Sequence, residues 1–119
     1  MQSVSYGGES FVTSDDGAAA LLEFAASAAM SGVGEVVALP SVLADGSVVS
    51  VSLVIGPSSE LMTTPVETLQ TEPDTREAAA VLRVRASELR ASNLHVHGSA
   101  IAGPDLDSTD PATDDAEPY

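Results

Sequence analysis

The sequence predicts an α+β fold: a two-layer sandwich in which two helices, at about 16 to 30 and 74 to 92, cover a mostly antiparallel sheet of three to five strands, with a meander over 35 to 67 as its main part. Three observations carry that expectation. Two segments repeat apolar residues with the helical period, the stretch between them alternates every second residue, and glycine, proline or Asp-Gly pairs separate the runs. A sheet with one apolar face and helices with one apolar stripe bury each other as two layers.

The first helix is announced by Thr13, Ser14, Asp15 and Asp16, a capping hydroxyl followed by carboxylates that suit the positive end of the helix dipole. Ala18, Leu21, Leu22, Phe24, Ala25, Ala28 and Ala29 fall on one side, with Asp16, Glu23 and Ser27 opposite, and the glycines of "SGVGE" end it. "EVVALP" reads as a strand and "ADGS" as a tight turn around Asp45 and Gly46. In "SVVSVSLVIG", Val49, Val51, Leu53 and Ile55 share one face and Val48, Ser50, Ser52 and Val54 the other, the pattern of a central strand. "LMTTPVE" follows as a third strand that Pro65 pushes to an edge. "SVSYGG" and "ESFVTS" near the start would add a further strand. The second helix opens near "TEPD", with Thr71 or Asp74 as cap, and ends about Asn93; "NLHVHGSAIAG" would return as a last strand.

At 119 residues the chain holds one core, and with 44% hydrophobic but only 3% aromatic residues that core is built from Val, Leu, Ile, Met and Ala. Ordering about 100 residues costs on the order of 100 to 200 kcal/mol, so a core this poor in aromatics is expected to give modest stability or to draw on a dimer partner. Residues 1 to 102 are read as a single domain. Residues 103 to 119, "GPDLDSTDPATDDAEPY", carry six acids, three prolines and one leucine, and are read as an acidic disordered tail.

The net charge is −14, from 18 acids against four arginines and no lysine. Affinity for nucleic acid comes largely from counterion release by Lys and Arg, so direct nucleic-acid binding is not expected, and anionic membranes are disfavoured for the same reason. The first ten residues do not read as a signal peptide and no 18-residue apolar run exists. A chain without cysteine suits a reducing compartment. The expected location is the cytoplasm.

All four arginines lie in "REAAAVLRVRASELR", residues 76 to 90. Arg76, Arg83 and Arg90 are seven apart and form one stripe on a helix. Its plain reading is a solvated face, helped by Glu72 four residues before Arg76; its functional reading is a dock for an acidic patch or for the chain's own tail. Arg85 falls instead among Ala78, Val81, Leu82, Ala86 and Leu89. There it can lay its stem on apolar surface with a wet guanidinium, pair with an acid such as Glu35 or Glu67, or enter a subunit interface. Arg76, Arg83, Arg85, Leu89 and Arg90 are therefore the expected interaction surface.

Other constellations are weaker. His95 and His97 share a face if extended, but two imidazoles fall short of a metal site and no third histidine or cysteine exists. "DLDST" at 105 to 109 matches the D-x-D-x-T loop of haloacid-dehalogenase-like phosphatases, yet only ten residues follow it. As a calcium loop it has Asp110 where glycine is needed and Ala116 where glutamate is needed. "GPSSE" lacks nucleophile-elbow spacing, and "GVG" lacks the lysine of a phosphate loop. The expectation is a non-enzymatic, cofactor-free interaction module of acidic character that binds protein, itself included as a homodimer. The alternative is an acidic mimic of nucleic acid that occupies the basic groove of a DNA-binding protein.

Overall fold

The structure, a computed structural model, describes the backbone of residues 1 to 101 and the side chains of residues 1 to 92. The expected acidic tail at 103 to 119 lies outside the described residues. The chain forms β1 (Gln2–Tyr6), β2 (Glu9–Thr13), α1 (Asp15–Ser31), β3 (Glu35–Val42), β4 (Val48–Ile55), β5 (Leu61–Pro65) and α2 (Arg76–Ile101). The five strands make one antiparallel sheet in the order β4-β3-β2-β1-β5, and the expected α+β class holds.

The N-terminal segments supply two strands rather than one, joined by Gly7 and Gly8 with φ of +60° and +83°. A two-residue turn with positive φ at both positions matches the right-handed twist of a hairpin, and glycine takes it without steric cost. Val4 and Phe11 sit opposite each other and are buried.

Ser14 caps α1 by accepting the Gly17 amide at 2.9 Å, and the helix closes at Gly32 in the left-handed conformation. Ala18, Leu21, Phe24 and Ala28 enter the core, whereas Leu22 and Ala29, expected there, face solvent. Ser27, expected outside, is buried. The second helix begins at Arg76: the Asp74 carboxylate accepts the Arg76 amide at 3.1 Å, and Ala79 N–H donates to the Thr75 carbonyl at 2.7 Å. α2 continues to Ile101, so the return strand expected from Leu94 is helical. The first strong stop in sequence is Pro104, and Gly98 inside the helix costs only about 1 kcal/mol.

The two helices lie side by side and run the same way. Their starts are joined by a hydrogen bond between the Ser14 and Thr75 hydroxyls, and at the far end of α1 Ser31 donates to the carbonyl of Leu89, midway along α2, at 3.2 Å. Gly17 lets them approach, since a Cβ there would stand 3.0 Å from Ser14 Oγ and 3.1 Å from Thr75 Cγ2. Leu39, Leu53 and Ile55 of the sheet meet Leu21, Phe24, Leu82, Ala86 and Leu89 of the helices in a single core.

The turn of the β3–β4 hairpin is closed by Leu43 N–H to the Ser47 carbonyl and Gly46 N–H to the Leu43 carbonyl, both 2.9 Å, with Gly46 at φ +89°. Counting from that bonded pair, ladder bonds fall on alternate pairs. Val42, Pro40, Ala38 and Val36, facing Val48, Ser50, Ser52 and Val54, are thus the pairs whose backbone groups point away from each other. Pro40 therefore costs this ladder no donor. Its carbonyl points toward β2 and accepts the Thr13 hydroxyl at 2.9 Å, beside the single bridge Val12 to Val42 that joins the hairpins.

Two expectations about strand order are corrected. β4, expected to be central, is an edge, and β5 does not extend the meander but crosses to pair with β1 at the opposite edge. The link between β4 and β5 is fastened by Tyr6, whose hydroxyl donates to the Val54 carbonyl and shares a 3.0 Å hydrogen bond with Ser59 Oγ. Among the described residues no helix is long and apolar enough to cross a membrane.

Candidate interaction surface

The arginine-rich segment becomes intelligible once α2 lies along α1. Its buried stripe is Ala79, Leu82, Ala86 and Leu89, a 3-4-3 spacing that turns Val81, Val84 and Arg85 outward. Leu89, expected on the interaction surface, is packed in the core.

Arg83 and Arg90 of the stripe face α1. Arg83 meets Asp16 at 2.9 Å and Glu23 at 3.6 Å; Arg90 meets Glu23 at 3.4 Å and donates to Ser27 Oγ at 3.0 Å. This stripe is an ion ladder between parallel helices. Arg83 is held above its ordinary pKa by the hydrogen bond to Asp16. Arg76 turns back to grip Asp74 through two nitrogens, at 3.0 and 2.9 Å, rather than using Glu72. That grip holds the Asp74 carboxyl down at about 2. Half-exposed pairs of this kind add little stability each; the seven-residue spacing of Asp16 and Glu23 matches that of Arg83 and Arg90, so the two rows align along the parallel helices.

Arg85 reaches β3. Its Nε donates to Glu35 Oε2 at 2.7 Å, Nη2 contacts the same oxygen, and Nη1 donates to Glu88 at 3.2 Å. Glu35 is one of the two acids expected to pair with Arg85; the other, Glu67, is exposed in the segment after β5. The pair is partly shielded, with side-chain exposures of 41% for Arg85 and 22% for Glu35, and the hydrogen bonds to Glu35 and then Glu88 hold the guanidinium above its ordinary pKa.

Beside this cluster runs a groove of about 310 Å³ between β3 and α2, lined by Val36, Val37, Ala38, Ala78, Val81 and Arg85 among others. A second hollow, on the outer side of α2, shares Val81 and Arg85 with it and adds Val84 and Glu88. Val36, Val81 and Val84 are 72%, 62% and 59% exposed. The hairpin register directs the backbone N–H and C=O of Val36 and Ala38 away from β4, onto the groove side of the strand. Apolar side chains, strand groups that meet no partner among the described residues and an ion cluster thus share one surface. Val81 was legible in sequence as an apolar helix position; its exposure was not, since it follows from where α1 and β3 sit.

A wider concavity, about 1070 Å³, lies between the Gly7–Gly8 turn and the turn at 56 to 60. Tyr6 and Glu60 are its titratable side chains, and the Tyr6 hydroxyl is already engaged. For His95 and His97 the backbone is helical, so the extended pairing that would put both on one face is absent, and their side chains lie outside the described residues. Comparison with known proteins finds no matching family model, no similar curated protein and no similar solved structure.

Proposed function

We propose that the chain is a small, acidic, non-catalytic protein-interaction module, homodimeric and cytoplasmic, that receives a partner protein along the groove between β3 and α2. The observation that carries this reading is the juxtaposition of exposed Val36, Val81 and Val84 with Arg85 held by Glu35 and Glu88. An extended partner segment could pair with the outward backbone groups of Val36 and Ala38 while an apolar side chain rests on Val81, and the ion cluster would supply a polar rim. Arg76, Arg83 and Arg90 serve this reading indirectly: two of them orient the helix that forms the groove wall.

The nucleic-acid-mimic alternative is the weaker one. Five of the twelve acidic residues before Asn93, namely Asp16, Glu23, Glu35, Asp74 and Glu88, are paired with arginines, which removes charge that a phosphate mimic would need to present.

The test is a pull-down from native cytosol with the wild-type chain and Val81→Glu, alongside thermal unfolding of both. Val81 is exposed, so the substitution should move the melting temperature little while abolishing capture of proteins retained by the wild type. Identical capture by the two chains would overturn the groove as the binding surface.

A further inference from the structure

We propose that the free edge of β4 pairs with the β4 edge of a second copy of this chain, centred on Ser50. The inference takes up the homodimer half of the reading above and does not depend on the groove.

Hairpin register points the backbone N–H and C=O of Val48, Ser50, Ser52 and Val54 outward from the sheet. The Val54 carbonyl is capped by the Tyr6 hydroxyl, so the bare part of the edge runs from Val48 to Ser52. Proteins ordinarily guard such an edge with a charge, a proline, a bulge or short length. The opposite edge has those guards: β5 is five residues long and ends in Pro65. β4 is eight residues long, contains no charge, proline or glycine, and pairs with β3 without a bulge.

Charge identifies the occupant. Each copy carries −14, so most approaches set carboxylates against carboxylates. Residues 46 to 59 contain no charged side chain. Nor does the sheet face turned from the helices: along the register its residues are Ser3, Ser5, Ser10 and Val12 on β1 and β2, then the Val36-to-Val42 and Val48-to-Val54 alternates, with Met62 and Thr64 on β5. A basic partner strand would be drawn to carboxylates along the edge, and there are none. A second copy needs this neutrality, because like charges directly opposite in a ladder are destabilising.

The bare edge also dictates the register. With Val48, Ser50 and Ser52 as the outward residues, a two-fold axis through Ser50 sets Ser50 opposite its own copy and Val48 opposite Ser52. The three pairs exchange about six backbone hydrogen bonds, and the two sheets become one continuous sheet. Such an interface is isologous, so it closes at two copies.

The experiment is sedimentation velocity on the full chain across a micromolar concentration series, comparing wild type, Ser50→Pro, Val48→Lys and Val81→Glu. The Ser50 N–H points away from β3 and bonds to none of the described residues, so proline there leaves the β3–β4 ladder intact; circular dichroism checks the fold, and Val48→Lys gives an independent block at the same edge. The expected result is a wild-type dimer whose dissociation constant rises at least about a hundredfold in both edge variants and does not change in Val81→Glu. A wild type that stays monomeric overturns the edge inference together with the homodimer half of the functional reading. A dimer that survives both edge variants overturns the edge alone, and dissolution by Val81→Glu but not by the edge variants would move the interface to the groove.

Discussion

The two hairpins make opposite use of the same architecture. β1 and β2 are five residues each and rich in serine and threonine, with Val4 and Phe11 as their buried apolar side chains, yet they occupy the middle of the sheet. β3 and β4 are eight residues each with the strongest alternation in the chain, yet β4 is an edge. Alternation records how one-sided a strand's burial is. It does not record how many strands flank it. That is decided by the connection after β4, where Ser59 Oγ accepts the Gly56 amide at 2.8 Å and Tyr6 fastens the turn, so the chain crosses to β1 instead of folding back on β4.

The contrast can be broken most directly in the core. Phe11→Ala, in the central hairpin, should cost about 3 to 5 kcal/mol, whereas Val48→Ala at the edge should stay within about 0.5 kcal/mol; denaturant unfolding of the two variants measures both. Similar losses would mean that centrality in the sheet does not govern the energetics.

The joint between the hairpins is the next target. Thr13→Val keeps the shape but removes the hydroxyl that the Pro40 carbonyl accepts, leaving a shielded acceptor unpaired at about 1 to 3 kcal/mol. Hydrogen exchange should then quicken in the β3–β4 amides more than in those of β1 and β2.

The smallest effect concerns the turns. Asp45 accepts the Ser47 amide at 2.9 Å and the Ser47 hydroxyl at 2.6 Å, and the hydroxyl's bond, then the amide's, holds the carboxyl below its ordinary 3.8. A carboxyl whose folded pKa is lowered stabilises fully above its unfolded pKa and loses that contribution as pH falls through the folded one. Acid below 3.8 should therefore loosen the β3–β4 turn, while the Gly7–Gly8 turn, which uses no ionisable group, stays unchanged. Amide shifts of Gly46 and Gly8 followed through an acid titration would show whether the two turns part in this way.

The candidate surface was partly readable in the same terms. Arg85 stood out because it interrupts an apolar run, and Glu35 was a nameable partner. The ladder from Arg83 and Arg90 to Asp16 and Glu23 was missed, although both pairs show the same seven-residue spacing; that match has meaning only once the helices are known to lie parallel. The Gly7–Gly8 pair between two alternating runs is itself a hairpin signal in the sequence.

Local pattern was sufficient for the class of the fold, the sidedness of β4, the cap of α1 and the edge position of Pro65, because each depends on periodicity, backbone sterics or a missing donor within a few residues. Strand order, the parallel seating of the helices, the partners of Arg83 and Arg90 on α1, the pairing of Arg85 with Glu35 and the bare edge of β4 arose from contacts between segments up to sixty or more residues apart. Those contacts depend on where connections carry the chain and which surfaces are left to meet, and no periodicity within a segment encodes that.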